Sequence, residues 1–182
     1  MPSETGYWSE EEIIFHDYSF PLARWIAKFF DKNSMVIDFG AGEGFYAGYL
    51  QDLGFSVIPI EGNKNTVINA DYAMEQDLTI PFKLKNYYNS ICLEVGEHIP
   101  EEFEDVFIDN IANNTANKLV LSWAVPDQEG YFHVNCASNE WVIKMFEARG
   151  FKYLPEQTAS ARAVIEERRK YFRDTLMVFE KC

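Results

Sequence analysis

Apolar residues recur at two different periods along this chain. Leu22, Trp25, Ile26, Phe29 and Phe30 fall at i, i+3, i+4, i+7 and i+8 behind Pro21, a residue suited to a helix's first turn, and predict an amphipathic helix. Short unbroken apolar runs predict buried strands at 35–38, 55–61, 89–95 and 118–124, with a weaker candidate at 73–77. Helical spacing returns between them. It predicts a helix running to Asp52 with Gly54 as its stop, one opened by Pro100 and carrying Phe103, Val106, Phe107 and Ile111, and one at 140–149 capped by Ser138 and stopped by Gly150. Residues 151–154 and 175–180 supply two last strands around a charged helix at 159–172. This alternation predicts a doubly wound α/β domain with a seven-stranded, mostly parallel sheet and an antiparallel last strand. There is no internal repeat or interdomain linker, so residues 1–182 read as one domain, with 1–20 as a lid or capping segment.

The sharpest local signal sits where the first strand ends. Asp38 is followed by Gly40, Gly42 and Gly44 at alternate positions and then by a helix, a strand-turn-helix corner at which a ligand can approach the main chain and unpaired helix N–H groups. The dinucleotide pattern G-x-G-x-x-G fails at Phe45, and no Lys-Ser or Lys-Thr follows to make a phosphate loop. Glu61 ends the second strand 23 positions beyond Asp38, where nucleotide-binding α/β folds place an acid for ribose hydroxyls. The stretch Asp38-x-Gly40-x-Gly42-x-Gly44 resembles the D-x-G-x-G-x-G signature of class I S-adenosylmethionine-dependent methyltransferases, and the resemblance covers roughly residues 30–124. It implies a Rossmann-like fold and S-adenosylmethionine as cofactor. Asp38, Gly40, Ala41, Gly42, Gly44, Glu61, Asp77 and Glu94 become its expected contacts, with Asp77 at the adenine amino group.

A second segment bears on the reaction. Leu93-Glu94-Val95-Gly96-Glu97-His98-Ile99-Pro100 leaves the fourth strand beside the first, where open α/β sheets bind their ligands. It resembles the L-E-V-x-E-H-[IV]-P stretch of quinone-pathway O-methyltransferases and small-RNA terminal 2′-O-methyltransferases. In the RNA enzymes two Glu and a His of this turn join a later His around a divalent metal. The resemblance carries that set to Glu94, Glu97, His98 and His133, the last in an aperiodic loop at 127–136. Two imidazoles with one or two carboxylates suit Mg, Mn, Fe or Zn alike. Without metal, His98 and His133 would form a catalytic pair with one as general base.

Composition narrows the partners. A formal charge of −13 opposes capture of a phosphate backbone, so long nucleic acid is not expected, although RNA 2′-O-methylation stays an alternative. Three cysteines without C-x-x-C or zinc-type spacing fit a reducing cytosol, and no signal peptide or membrane span is read, so a cytoplasmic protein is expected. The expected acceptor is a hydroxyl of a sugar, glycan or other small polar metabolite. Trp8, Trp25, Trp123, Tyr131 and Trp141 include candidates for flat platforms under it. An NAD-dependent dehydrogenase or epimerase and a non-catalytic cofactor-binding partner subunit are the further alternatives. The basic run Arg168-Arg169-Lys170 with Arg173 reads as a solvated helix face balanced by Glu166 and Glu167.

Overall fold

The computed structural model describes residues 4–6, 18–32, 34–85 and 88–182. Most of the expected lid segment, including Trp8, lies outside the described residues. In chain order the elements are α1 (Phe20–Phe29), β1 (Met35–Phe39), α2 (Phe45–Asp52), β2 (Ser56–Glu61), β3 (Met74–Glu75), β4 (Tyr88–Cys92), α3 (Glu104–Asn114), β5 (Thr115–Ser122), α4 (Asn139–Glu147), β6 (Phe151–Tyr153), α5 (Pro155–Arg162), α6 (Tyr171–Thr175) and β7 (Leu176–Lys181). The sheet runs β3-β2-β1-β4-β5-β7-β6, with β7 antiparallel to both neighbours and the other pairings parallel. This is the expected doubly wound architecture.

Alternation along the strands divides the core into two layers. Ile37, Leu119, Leu121, Met177 and Phe179 face one cluster with Phe107, Ile111, Val142 and Phe146 of α3 and α4. Val36, Ile91, Val120, Leu176 and Val178 face the other with Leu22, Ile26, Ala47, Leu50 and Ala161 of α1, α2 and α5. The apolar stripe of α1 therefore packs as its spacing requires, under an N-cap in which Ser19 Oγ accepts the Leu22 N–H.

Several boundaries differ from the sequence reading. The fourth strand ends at Cys92, because Glu94 turns left-handed at φ 54° and gives its N–H to Ser122 Oγ instead of to the ladder. β5 begins earlier than the apolar run, at Thr115, whose hydroxyl donates to Ser90 Oγ, and it ends at Ser122. The third strand shrinks to Met74–Glu75, and Asp77 lies beyond it in a turn whose Thr79 N–H and hydroxyl both donate to Asp77 Oδ1. Pro100 is extended (φ −56°, ψ 144°), so a 3-10 turn at Glu101–Phe103 precedes α3. The charged helix at 159–172 is instead α5, a 3-10 turn at Glu167–Arg169 and α6. A straight helix over 159–172 would run about 21 Å. The break instead turns Phe172 back into the core, while Arg173 Nη2 takes up the Ile165 carbonyl at 2.7 Å.

Candidate functional site

The strand order reverses between β1 and β4, and a cleft of about 400 Å³ opens there beyond the carboxyl ends of the strands. Asp38, Gly40, Ala41, Gly42, Glu61, Asp77, Glu94, His98 and His133 all line it. Gly44 and Glu97 do not: Gly44 caps α2 at φ 81° against Val67 and Ala70, and Glu97 is wholly buried behind His98. Of the proposed platforms, Tyr131 lines the cleft and is half exposed. Trp123 is core, edge-on to Phe107 and Trp141, and Trp25 stacks on Phe29 and bonds Ser160. Arg169 is buried against Glu166 and Arg173 pairs with Glu167, so the basic run is balanced by those acids but does not form one solvated face.

The glycine corner works through shape. Gly40, Gly42 and Gly44 have φ of 67°, 54° and 81°, the left-handed region that other residues enter at a cost. Four of its N–H groups, those of Gly40, Ala41, Gly42 and Gly44, are engaged within the protein. Those of Gly40 and Ala41 bond Ile60 O, that of Gly42 bonds Glu61 Oε2 at 2.9 Å, and that of Gly44 bonds Ala41 O. Glu61 Oε1 takes the Gly62 N–H at 2.8 Å. This two-point grip fixes the second-strand acid on the cleft wall, and its burial raises its pKa against those amide bonds.

Asp38 lies one layer deeper, with Oδ2 unpartnered. Burial, and then the Glu61 charge, push its pKa up to about 8, while the Ala47 amide of α2 offsets a part. Because the folded chain holds this proton far above the ordinary value of 3.8, the Asp38 contribution to stability is full at pH 4 and declines as pH rises toward 8. Urea unfolding from pH 4 to 8 is expected to show less decline for Asp38→Asn than for the unsubstituted protein. Parallel pH profiles would contradict the assignment.

The histidines meet through main-chain bonds between two loops. Val134 and Asn135 N–H donate to Glu97 O at 2.8 and 3.0 Å, and His98 Nδ1 lies 3.0 Å from Phe132 O. Trp123 Nε1 donates to Asn135 O at 2.6 Å, and Gly96 lies against the Trp123 indole where a Cβ would overlap it. Gly96 thus lacks a side chain for a packing reason. His133 Nδ1 lies 3.2 Å from Gln128 O, and its ring covers Gly130, where a Cβ would again overlap. Carbonyls only accept, so both Nδ1 atoms carry protons, and in the neutral imidazole Nε2 is the atom with the lone pair.

The rings stand 5.2 Å apart, and single ligand atoms of Glu97, His98 and His133 lie within 4.8 Å of one another. Both Glu97 oxygens are buried without a partner in hydrogen-bond geometry. Burial foremost, and the Glu94 charge next, raise the Glu97 pKa well above the carboxylate range, with the Glu97 and Ala124 amides offsetting a part. Glu94, the remaining expected ligand, accepts from Gln128 Nε2 and Thr175 Oγ1 and falls outside this group. Sequence reasoning singled out neither Gln128 nor Thr175. Gln128 carried only the weak signal of lying in the aperiodic loop, and Thr175 carried none.

No protein-family model and no curated protein matches the chain. Solved structures do. The magnesium protoporphyrin IX methyltransferase of Synechocystis PCC 6803, with bound S-adenosylhomocysteine, superposes at TM-score 0.65 and 19% identity over 88% of this chain and 80% of that one. A TehB-like S-adenosylmethionine-dependent methyltransferase of Corynebacterium glutamicum gives 0.66 at 14% identity over 91% and 90%. The glycopeptide N-methyltransferase MtfA, complexed with S-adenosylmethionine, gives 0.64 at 13% over 91% and 94%. The fold is that of class I S-adenosylmethionine-dependent methyltransferases.

Proposed function

We propose that this chain transfers the methyl group of S-adenosylmethionine to a hydroxyl of a sugar or other small polar metabolite. The observation that carries the reading is that the glycine corner with its Glu61 wall and the His98/His133 pair open into one cleft. Glu61 suits the ribose and Asp77 the adenine end, while the deep acid Asp38 suits the cationic end of the cofactor. A chain of net charge −13 favours a small acceptor over a polyanion.

The unpartnered Glu97 carboxylate beside two pinned imidazoles fits a divalent cation, which Glu97, His98 and His133 would hold. Bound there, a cation would supply a Lewis acid for the acceptor hydroxyl. The chain's own groups do the rest. The cleft would hold the acceptor beside the methyl group, and positioning of this kind supplies most of the acceleration in a displacement on carbon. S-adenosylmethionine, when bound, would supply an activated methyl group, the acceptor oxygen's lone pair bonding the carbon as the C–S electron pair returns to sulfur. In the metal-free form of the site, the hydroxyl proton passes to an imidazole Nε2.

Calorimetry with S-adenosylhomocysteine and NAD, followed by a methyl-transfer screen of sugars, phenols and short RNA, tests the reading. Tight S-adenosylhomocysteine binding with transfer to a sugar hydroxyl is expected. NAD binding alone would replace it with a dehydrogenase or epimerase, binding without transfer with a partner subunit, and transfer to RNA alone would overturn the acceptor. A finer effect follows from Thr5, whose hydroxyl donates to Asp77 Oδ2 at 2.8 Å and occupies the acid meant for adenine. Thr5→Val is expected to tighten S-adenosylhomocysteine binding about 10-fold, the lower end of what a hydrogen bond to a charged group contributes. Weakened binding would mean that Thr5 serves the ligand directly.

A further inference from the structure

Glu94 reaches Glu97 of the Glu97–His98–His133 cluster but is not among the residues whose ligand atoms all lie within 4.8 Å of one another. Its charge bears on Glu97, and the His133 charge bears on it. Both its oxygens are nonetheless occupied, Oε2 by Gln128 Nε2 at 2.8 Å and Oε1 by Thr175 Oγ1 at 3.3 Å. The Glu94 backbone is set by φ 54° and by its N–H bond to Ser122 Oγ at 2.8 Å. On the other side Gln128 acts with two groups at once. Its carbonyl receives His133 Nδ1–H, which orients the imidazole, and its amide holds the carboxylate. Asp127 at φ 71° and the Gln128 N–H bond to Val125 O fix the turn that presents both.

We propose that Gln128 is a positioning residue that holds Glu94 out of the cluster, so that a divalent cation would meet three protein ligands and not four. The inference rests on the metal reading given under the proposed function. Its consequence is chemical: a fourth protein ligand would take a position that an acceptor oxygen needs and add a charge that weakens the Lewis acid. The grip is also selective. Gln128 reaches His133 through its main chain, so a side-chain substitution frees Glu94 Oε2, with Oε1 still on Thr175, and leaves the imidazole's partner in place.

The test is Co²⁺ titration of the full chain, followed by the visible absorption of the bound ion. Gln128→Leu is expected to bind Co²⁺ about 10-fold more tightly, with an altered visible band as a carboxylate joins the set. Gln128→Met, equally unable to donate, should do the same and serves if the leucine variant fails to fold. Adding Glu94→Gln to either variant should remove the gain. Weakening by about 10- to 100-fold in Gln128→Leu, the sign of ordinary support to a Glu94 that already ligates, would overturn the proposal. Unchanged affinity and an unchanged band would overturn it as well. If the unsubstituted chain binds no Co²⁺ at millimolar concentration, the metal reading falls and takes this inference with it. A flat response in the variants of a chain that does bind Co²⁺ removes the inference alone.

Discussion

Replacing His133 by alanine is expected to slow methyl transfer by about 10²- to 10⁴-fold while leaving S-adenosylhomocysteine affinity within about threefold, because the proposed function gives the ring the acceptor proton or a cation and seats the cofactor at the glycine corner. The geometry separates the ring from the fold. Loop 127–136 is anchored by Val134 and Asn135 N–H on Glu97 O, by Ala137 N–H on Ala124 O and by Trp123 Nε1 on Asn135 O, none of which uses the imidazole. The variant should therefore melt close to the unsubstituted protein. His98→Ala should match it in rate, since each imidazole is pinned by a carbonyl of the loop and both open into the same cleft. Gly130→Ala supplies an independent check, because its Cβ would enter the space of the His133 ring and displace it without deleting a titrating group. Single-turnover methyl transfer, with and without exhaustive chelation, reads the result. Activity lost on chelation and restored by a divalent metal assigns the pair as ligands. Activity that resists chelation but falls in both alanine variants assigns a general base. Unchanged transfer in both variants would remove the centre in either form.

The parts of this site legible in the sequence were those fixed by local rules. Three alternate glycines after a buried run allow few conformations, and each does adopt positive φ, while an acid at the end of the next strand has one wall to stand on. Strands β1, β2 and β4 were found because a central parallel strand is buried on both faces and reads as an apolar run. Thr115 at the start of β5 was missed because its burial is polar, its hydroxyl held by Ser90 of the neighbouring strand. The broken charged helix was missed for a related reason. Buried Arg169 and its Glu166 partner look like surface residues until tertiary contact covers them. Most of all, the engagement of Glu94 could not be read locally, since Gln128 and Thr175 lie 34 and 81 residues away in the chain. Its left-handed backbone has no glycine or asparagine to announce it.

Gly42→Val is expected to weaken S-adenosylhomocysteine binding by about 100-fold or more, from about 1–2 kcal/mol of left-handed strain together with about 1.5–3 kcal/mol for a hydrogen bond to a charged group. Gly42 holds φ 54°, which a β-branched residue tolerates poorly, and its N–H is the 2.9 Å donor to Glu61 Oε2. Relief of the strain rotates that N–H away, so the substitution acts on two proposed cofactor contacts through one backbone turn. Glu61 would then lose the Gly42 N–H and keep that of Gly62, and as a buried acid its raised pKa would climb further, favouring a protonated form less able to accept ribose hydroxyls. Gly42→Ala, with a smaller side chain at the same φ, should fall between the unsubstituted protein and the valine variant. Glu61→Gln should lose affinity without the strain, because the amide keeps one oxygen for the Gly42 N–H. Since β1 and β2 pair along their length independently of the turn, the valine variant should remain folded by circular dichroism. Calorimetry of the three variants orders them as valine weakest, then Glu61→Gln and Gly42→Ala. Undiminished affinity in folded Gly42→Val would place the cofactor away from this corner.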